Sequence, residues 1–438
     1  MAWLKLGAVG FKRVIKPLRT LAPLAALAWA GALRAEAPAG PAQLTLGDAR
    51  RVALQRNDDF RVAQIQVAAA LAQLRAAREF PNPTLGLSTT KINTDGQPNG
   101  TPQGNTFLDR SYDSIASLSQ LFLIGKRGLI QDAAATGVRA AESQRDDARR
   151  LLVQAVTQAY VAALEAQEQA AVLSESAAAL RREATIAARR LQAGDLSASD
   201  EAQIEIAAEQ DELNADSQRA TARTAVVTLE IVLGEPQPNG RTALADNLAA
   251  LAKLGGPGLE DARVGARPDL AAAEENEQQA ETNLELQRRQ RIPDVTVSVQ
   301  YERNPPSQPN TVGLGLSLPL PLWNRNTGEI LAAQAARDQA QAQLDKVRIQ
   351  AAADVAAARV AYEEASARVQ RYLTSLAPKS AQATKRVSYA YEKGGASLVD
   401  LLEAQRNDNS IRLGTVQAQA DAATSAVNLQ TALAQLQP

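Results

Sequence analysis

The sequence predicts a mainly α-helical chain with a small β part, written as two structural repeats, and three observations carry that expectation. Aromatic residues are only 3% of 438 residues while Ala, Gln, Glu and Arg abound, a composition suited to long helices. Apolar residues step 4-3-4-3 along extended stretches without Pro. The ten-residue segments LQAGDLSASD (Leu191–Asp200) and YEKGGASLVD (Tyr391–Asp400) superpose Gly194 on Gly394, Ser197 on Ser397 and Asp200 on Asp400, so one turn is written twice.

The chain opens with a basic region (Lys5, Lys12, Arg13, Lys16, Arg19), an apolar run from Leu21 to Leu33 and the small-residue triplet Ala35-Glu36-Ala37. That order is a secretory signal, and residues 1–37 are assigned to it. The alternative, a membrane anchor, needs roughly 20 apolar residues to span a bilayer. There is no Cys, so neither a lipidated N-terminal Cys nor a disulfide is available to the exported chain. Cleavage removes six basic groups and one acid, moving the formal charge from −1 to −6. A mildly acidic exported protein is unsuited to nucleic acid.

From Leu129 to Ala193 there is no Pro, and at 1.5 Å per residue such a helix would be roughly 100 Å long. Leu152, Val156, Ala159, Ala163, Ala166, Ala170, Leu173, Ala177, Leu180, Ala184, Ala187 and Leu191 form an unbroken heptad seam. Because the seam is mostly Ala, helix axes can approach closely, favouring a wall of side-by-side helices. A second seam runs through Ala351, Val355, Ala358, Tyr362, Ala365, Val369, Tyr372 and Leu376, then slips near Pro378 and resumes at Ser380, Ala383, Val387 and Ala390. Such a stutter is expected to relax the supercoil. Gly194 and Gly394 can supply left-handed helix ends, and Ser197 and Ser397 can cap the helices that return to about Val232 and Leu433.

Strands are expected at about 83–90, 114–123, 294–302 and 311–319, the last two joined by the turn-rich ERNPPSQPN. A first repeat then covers 38–234 with its tip at 194–200, a connector covers 235–266, and a second repeat covers 267–438 with its tip at 394–400. Gly, Ser and Thr alternating with Val and Leu suit a strand with lipid on one face and water on the other. Four strands cannot close into a barrel, and an open edge in lipid leaves backbone groups unpaired. The chain must therefore oligomerise: a dimer would give 8 strands, a trimer 12.

In this arrangement the mature chain resembles the TolC-like outer-membrane factor family. LFLIGKRG (Leu121–Gly128) and SLPLPLWNRNTGEILAAQ (Ser317–Gln334) are similar to the subgroup that serves heavy-metal pumps of the cobalt–zinc–cadmium resistance-nodulation-division (RND) type. The resemblance implies a homotrimer with a 12-stranded β-barrel in the cell outer membrane, continued by a long α-helical barrel in the periplasm. Its tapered tip would dock with a periplasmic adaptor and an inner-membrane RND pump. The implied function is a passive exit duct, and the implied cargo divalent heavy-metal cations.

By the same resemblance, Asp400 and Glu403 would form acidic rings at the pore, where like charges hold water and favour cations. Read alone, they are equally acids in the first turns of a helix, where the dipole favours them. Asp200 and Tyr391 would join a polar network between tips, in which Ala396 replaces an Arg common in the family; Tyr391 could instead be a packed seam residue. Gly194, Leu196, Ser197, Gly394, Gly395, Ser397 and Leu398 are expected as the exposed, adaptor-docking tip, although any helical turn would use such small residues. Tyr112, Phe122, Tyr301 and Trp323 are placed at strand ends as an interfacial girdle, with junction packing as the alternative. Lys126 and Arg127 are expected to snorkel or cap.

His and Cys are absent and the single Met is Met1, so no soft-metal site can be built from imidazole or sulfur. A nucleophile–His pair is impossible, and neither Walker nor dinucleotide glycine patterns occur. The expectation is therefore a non-enzyme without cofactors or bound metal. A periplasmic coiled-coil adaptor would also be exported and Ala-rich, but it normally carries one helical hairpin between soluble β-domains. Organic toxins or a secreted polypeptide remain alternative cargoes for the same duct.

Overall fold

A computed structural model describes residues 43–90, 113–253, 267–304 and 308–435. The expected signal, Tyr112 and much of the loop before it, and part of the connector lie outside the described residues. The elements are α1 (Leu46–Arg56), α2 (Asp58–Arg78), β1 (Thr84–Thr90), β2 (Asp113–Phe122), α3 (Arg127–Gln192), α4 (Ala198–Val232), α5 (Leu248–Leu251), α6 (Pro268–Arg289), β3 (Val295–Asn304), β4 (Gln308–Ser317), α7 (Thr327–Arg371), a π-helical turn (Tyr372–Leu376), α8 (Ala377–Glu392) and α9 (Leu398–Ala432). Among the described residues no helix is long and apolar enough to cross a membrane.

The 66-residue α3 forms because its sequence has no Pro and a continuous apolar seam. None of the twelve expected seam positions is exposed; Val156, Ala163, Ala166, Ala170, Ala177, Leu180 and Ala187 are buried. Around α3 the helices lie side by side. Toward the tips the lateral order is α4, α3, α9, α8, and toward the sheet it is α2, α3, α6, α7. The largest core cluster sits midway along α3, where Val156, Tyr160, Val161 and Leu164 meet Ala49 and Ala53 of α1, Val226 and Leu229 of α4, Leu248 of α5, and Ala420 and Ala423 of α9.

The second seam departs from expectation below Val369. Its extra residue is not spread into a relaxed supercoil but absorbed at once in the π-turn, immediately before Pro378 in the first turn of α8. Pro378 has no amide to continue the helical ladder, and a π-turn accommodates one extra residue locally. Beyond it, Ser380 is buried and Thr384 and Val387 half-buried against α9, whereas Leu376 and Ala383 turn outward.

The sheet is antiparallel in the order β1-β2-β3-β4, so β1 and β4 are its edges. Thr84 pairs with Ser119, Phe122 with Val295 and Thr296 with Ser317. β3 and β4 continue into the expected turn, with an irregularity between Glu302 and Asn304.

Polar clasps hold the chain where helices are interrupted. Buried Tyr160 donates its hydroxyl to Leu44 O (2.7 Å) and Asp246 Oδ2 (2.8 Å), fixing the segment before α1. Burial pushes that hydroxyl's pKa up, and Asp246 reinforces the shift. Glu230, near the end of α4, is only 2% exposed. It accepts from Asn239 N (2.6 Å), Gly240 N (2.8 Å), Thr242 Oγ1 (2.6 Å) and Thr242 N (3.4 Å). Burial alone would raise its pKa; these hydrogen bonds outweigh burial and hold it below the usual carboxylate range.

Because the folded pKa of Glu230 is depressed, its contribution is fully present above the unfolded carboxylate pKa and is lost as pH falls through the folded one. Glu230→Ala removes the acceptor from three amides and one hydroxyl. It is expected to lower stability by roughly 2–4 kcal/mol at neutral pH, measured by denaturant unfolding, with the difference from wild type shrinking in acid.

Candidate functional site

The sheet has two chemically different faces. On one, the register aligns Leu85, Leu118, Val299 and Leu314, and beside them Leu87, Ala116, Tyr301 and Val312. Leu85, Leu118 and Leu314 are 67%, 52% and 84% exposed, an apolar surface that water would penalise by about 25 cal/mol per Å². The other face aligns Thr84, Ser119, Ser298 and Gly315, and Gly86, Ser117, Gln300 and Gly313. Its glycines make room for neighbours: a Cβ on Gly86 would lie 2.7 Å from Ser117 Oγ, and one on Gly315 2.5 Å from Ser298 Oγ. Leu and Val on one face with Ser, Gly and Gln on the other is the alternation of a strand between lipid and water.

The chain entering and leaving this sheet is pinned by ions. Lys126 is buried and pairs with Asp294 at 2.8 Å, while Asp294 Oδ1 also accepts from Ile124 N (3.1 Å). Arg127 donates to Arg78 O (2.6 Å) and lies 3.3 Å from the centre of the Phe80 ring. Neither residue snorkels: Lys126 locks the β2–α3 turn to the start of β3, and Arg127 caps the C-terminal carbonyl of α2, the second of the two expected roles. Nothing in the sequence signals that Asp294 would meet Lys126.

The tips form as their sequence predicts. Gly194 and Gly394 have φ of +81° and +75°, and the helices end in matching bonds: Asp195 N to Arg190 O (2.9 Å) and Gly395 N to Ala390 O (2.8 Å). Ser197 and Ser397 cap α4 and α9, accepting from Asp200 N (3.0 Å) and Asp400 N (3.2 Å). The turns differ in one respect. Asp400 Oδ2 accepts from Ser397 Oγ (2.7 Å) and Ser397 N (3.0 Å), completing a capping box. Those two bonds hold its carboxyl below the usual carboxylate range.

Asp400 and exposed Glu403 share a groove of about 880 Å³ between α8 and α9 with Lys379, Arg386, Ala390 and Gly395. Tyr391 is half-buried in the apolar cluster of Ala187, Ile204 and Leu398, with Leu196 beside it, and Arg190 stands 5.8 Å from its ring centre. Burial pushes the Tyr391 hydroxyl up; Arg190 opposes this, while Glu183 and Asp200 reinforce it. Asp200 thus acts on Tyr391 through its charge, but no hydrogen bond joins the two among the described residues.

Two expectations need correction. Leu398 is not an exposed tip residue: it is 7% exposed and packs against Ala187 and Ile204, because the capping serine before it turns the first α9 side chain inward. Leu196, which precedes the capping Ser197, is half-buried because it packs on that same cluster. Tyr301 is not at a strand end, because β3 runs on to Asn304; it sits opposite Ala116 and Val312 and its hydroxyl bonds Asn310. Phe122 does end β2, and Trp323 follows β4 at 93% exposure. Among the described residues no group of three or more His, Cys, Asp or Glu is placed to hold a metal.

A sheet with an apolar outer face, set on a wall of paired helical hairpins, matches what known proteins show. The sequence profile described as "Outer membrane efflux protein" matches residues 49–235 and 262–435. The chain belongs to that family. Among its relatives, the cobalt-zinc-cadmium resistance protein CzcC of Cupriavidus metallidurans is 26% identical over 370 residues, 84% of each chain. The outer membrane protein OprJ of Pseudomonas aeruginosa is 25% identical over 376 residues, 81% of this chain and 77% of OprJ. The crystal structure of VceC from Vibrio cholerae shares the fold, with a TM-score of 0.71 over 89% of this chain and 95% of VceC at 20% identity. This chain is thus an outer-membrane efflux channel protein, reaching from the outer membrane into the periplasm.

Leu118→Arg, on the apolar face, is expected to destabilise the membrane-inserted protein by about 2–4 kcal/mol, while Ser117→Arg, on the opposite face, costs far less. Unfolding from lipid vesicles of the two variants side by side measures the difference.

Proposed function

We propose that three copies of this chain close a 12-stranded barrel in the outer membrane and a continuous helical barrel below it, forming the passive exit duct of a tripartite efflux system. The observation that carries the reading is the exposed apolar ladder on a four-stranded sheet with two open edges. Open edges in hydrocarbon leave several kcal/mol per unpaired backbone group, and identical neighbours can pair β1 with β4. In this reading, residues 1–37 are the export signal, and the repeats 38–234 and 267–438, joined by 235–266, each supply two strands and a hairpin. Phe122 and Trp323, with Tyr112, mark the membrane interfaces.

The tips then face a periplasmic adaptor, with Gly194, Ser197, Gly394, Gly395 and Ser397 as docking residues, and an inner-membrane RND pump delivers the cargo. Asp400 and Glu403 gather around the axis, with Asp200 and Tyr391 tying adjoining hairpins. Divalent heavy-metal cations are the proposed cargo, supported by the similarity to CzcC and by the LFLIGKRG and SLPLPLWNRNTGEILAAQ segments. With neither His nor Cys in the chain, such cations would pass hydrated.

A strain lacking this protein is expected to lose tolerance to zinc, cobalt or cadmium salts while keeping tolerance to dyes and detergents; the reverse pattern would assign organic cargo. In planar bilayers, Asp400→Ala with Glu403→Ala is expected to raise conductance and weaken cation selectivity, and unchanged currents would remove both residues from the pore.

A further inference from the structure

Inside the chain, neighbouring helices of the wall are laced by ion pairs. Arg181–Glu212 (3.3 Å) joins α3 to α4, Arg368–Asp421 (2.9 Å) joins α7 to α9, Arg139–Glu275 (2.9 Å) joins α3 to α6, and Arg412–Glu175 joins α9 to α3. The outward sides of the two lateral helices, α4 and α8, carry charges left out of this lacing. From Ala198 to Asp216, α4 has seven acidic residues and no Lys or Arg; from Ala377 to Lys393, α8 and its end have four basic residues against the single acid Glu392. Asp211 and Glu212 are turned back toward α3 by Ser176 (2.8 Å) and Arg181 (3.3 Å). Glu205 and Glu209 are exposed and have no ion-pair or hydrogen-bond partner among the described residues, and the same is true of Lys385 and Arg386.

Apolar surface accompanies the charge. Ile204, Ala208 and Ala215 face α3, so at 100° per residue Ile206 and Leu213 point directly away from it; they are 67% and 64% exposed. On α8, Ser380, Thr384 and Val387 face α9, which places Gln382, Lys385 and Tyr389 on the opposite side, Tyr389 being 63% exposed. Glu205 and Glu209 flank the apolar stripe of α4 on the side to which Lys385 projects from α8 when the two edges are set against each other. Both surfaces lie within about four helical turns of their tips. They belong to one chain, at opposite lateral ends, with opposite charge. That is the condition for head-to-tail association of identical copies.

We propose that α4 of one copy and α8 of the next form a heterologous seam, in which Ile206 covers Tyr389 while Glu205 and Glu209 pair with Lys385. The seam sets the register between hairpins of neighbouring copies near the tips. It deepens the trimeric reading above and rests on it.

The absence of Cys makes the test clean. The full-length protein carrying Gln210→Cys and Gln382→Cys is purified in mild detergent, its mass measured by light scattering, and then oxidised. α3 and α9 separate the two sites within a chain, so the seam predicts disulfide-linked dimers and trimers from the double variant and none from either single one. A trimer without cross-links overturns the seam and leaves the duct intact; a monomer overturns both. In a second arm, Glu205→Lys with Glu209→Lys, and separately Lys385→Glu, should each speed trimer dissociation by at least about tenfold, and the combined exchange should restore the wild-type rate. Dissociation at the wild-type rate in both charge variants, or no recovery in the exchange, overturns the pairing.

Discussion

Unpaired backbone in hydrocarbon is the constraint on which this molecule turns. A four-stranded sheet has two edges, and a bilayer offers no water to satisfy them. Apart from Pro309 at the start of β4, the sequence leaves both edges unblunted: β1 and β4 are rich in Leu, Thr, Ser and Gly, without the lysines or inward charges that soluble sheets use against edge pairing. The lateral order of the helices follows that of the strands. β1 is flanked in sequence by α2, β4 by α7, and these helices with α4 and α8 lie at the corresponding sides of the wall. A chain organised this way has one direction in which it can be extended, sideways, by another of its kind.

Within the wall, stability comes from closeness rather than bulk. Ala163, Ala208, Ala351 and Ala423 are fully buried, and alanine seams bring backbones near enough for dispersion to act along the whole helix. Such a seam has little side-chain volume with which to close its interruptions, and polar groups do so instead. Asn57 caps α2 while its amide reaches Val232 O (3.0 Å), and Arg56 meets Glu235 (3.2 Å), joining the α1–α2 break to the end of α4. At the opposite break Arg267 holds Asp269 (2.7 Å) and Asp354 (3.1 Å), fixing α6 to α7. Charge is thus placed where the helical ladder stops.

Features with a local cause were legible in the sequence. The α3 seam, the left-handed glycines at 194 and 394 and the serine caps depend on residues close together in the chain, and periodicity or turn chemistry reports them. Contacts between distant residues were not. Lys126 looked like a snorkelling or capping cation because its partner lies just before another strand, and Leu398 looked exposed because only the packed tips show that Ala187 and Ile204 await it. Asp400 was visible as an acid near a tip and Ser397 as its cap, yet their mutual closure follows from the backbone geometry of that one turn.

The π-turn at Tyr372–Leu376 makes the length of an apparently unremarkable segment non-negotiable. One extra residue advances everything below it by about 100° around the helix axis. Tyr372 is seated there against Gly414, where a Cβ would come within 2.7 Å of its hydroxyl. Shortening the segment by a single position would leave the composition almost untouched and still permit an unbroken helix, but it would swing Lys379, Lys385 and Tyr389 to a different compass bearing. Spacing here functions as a key cut into a shaft.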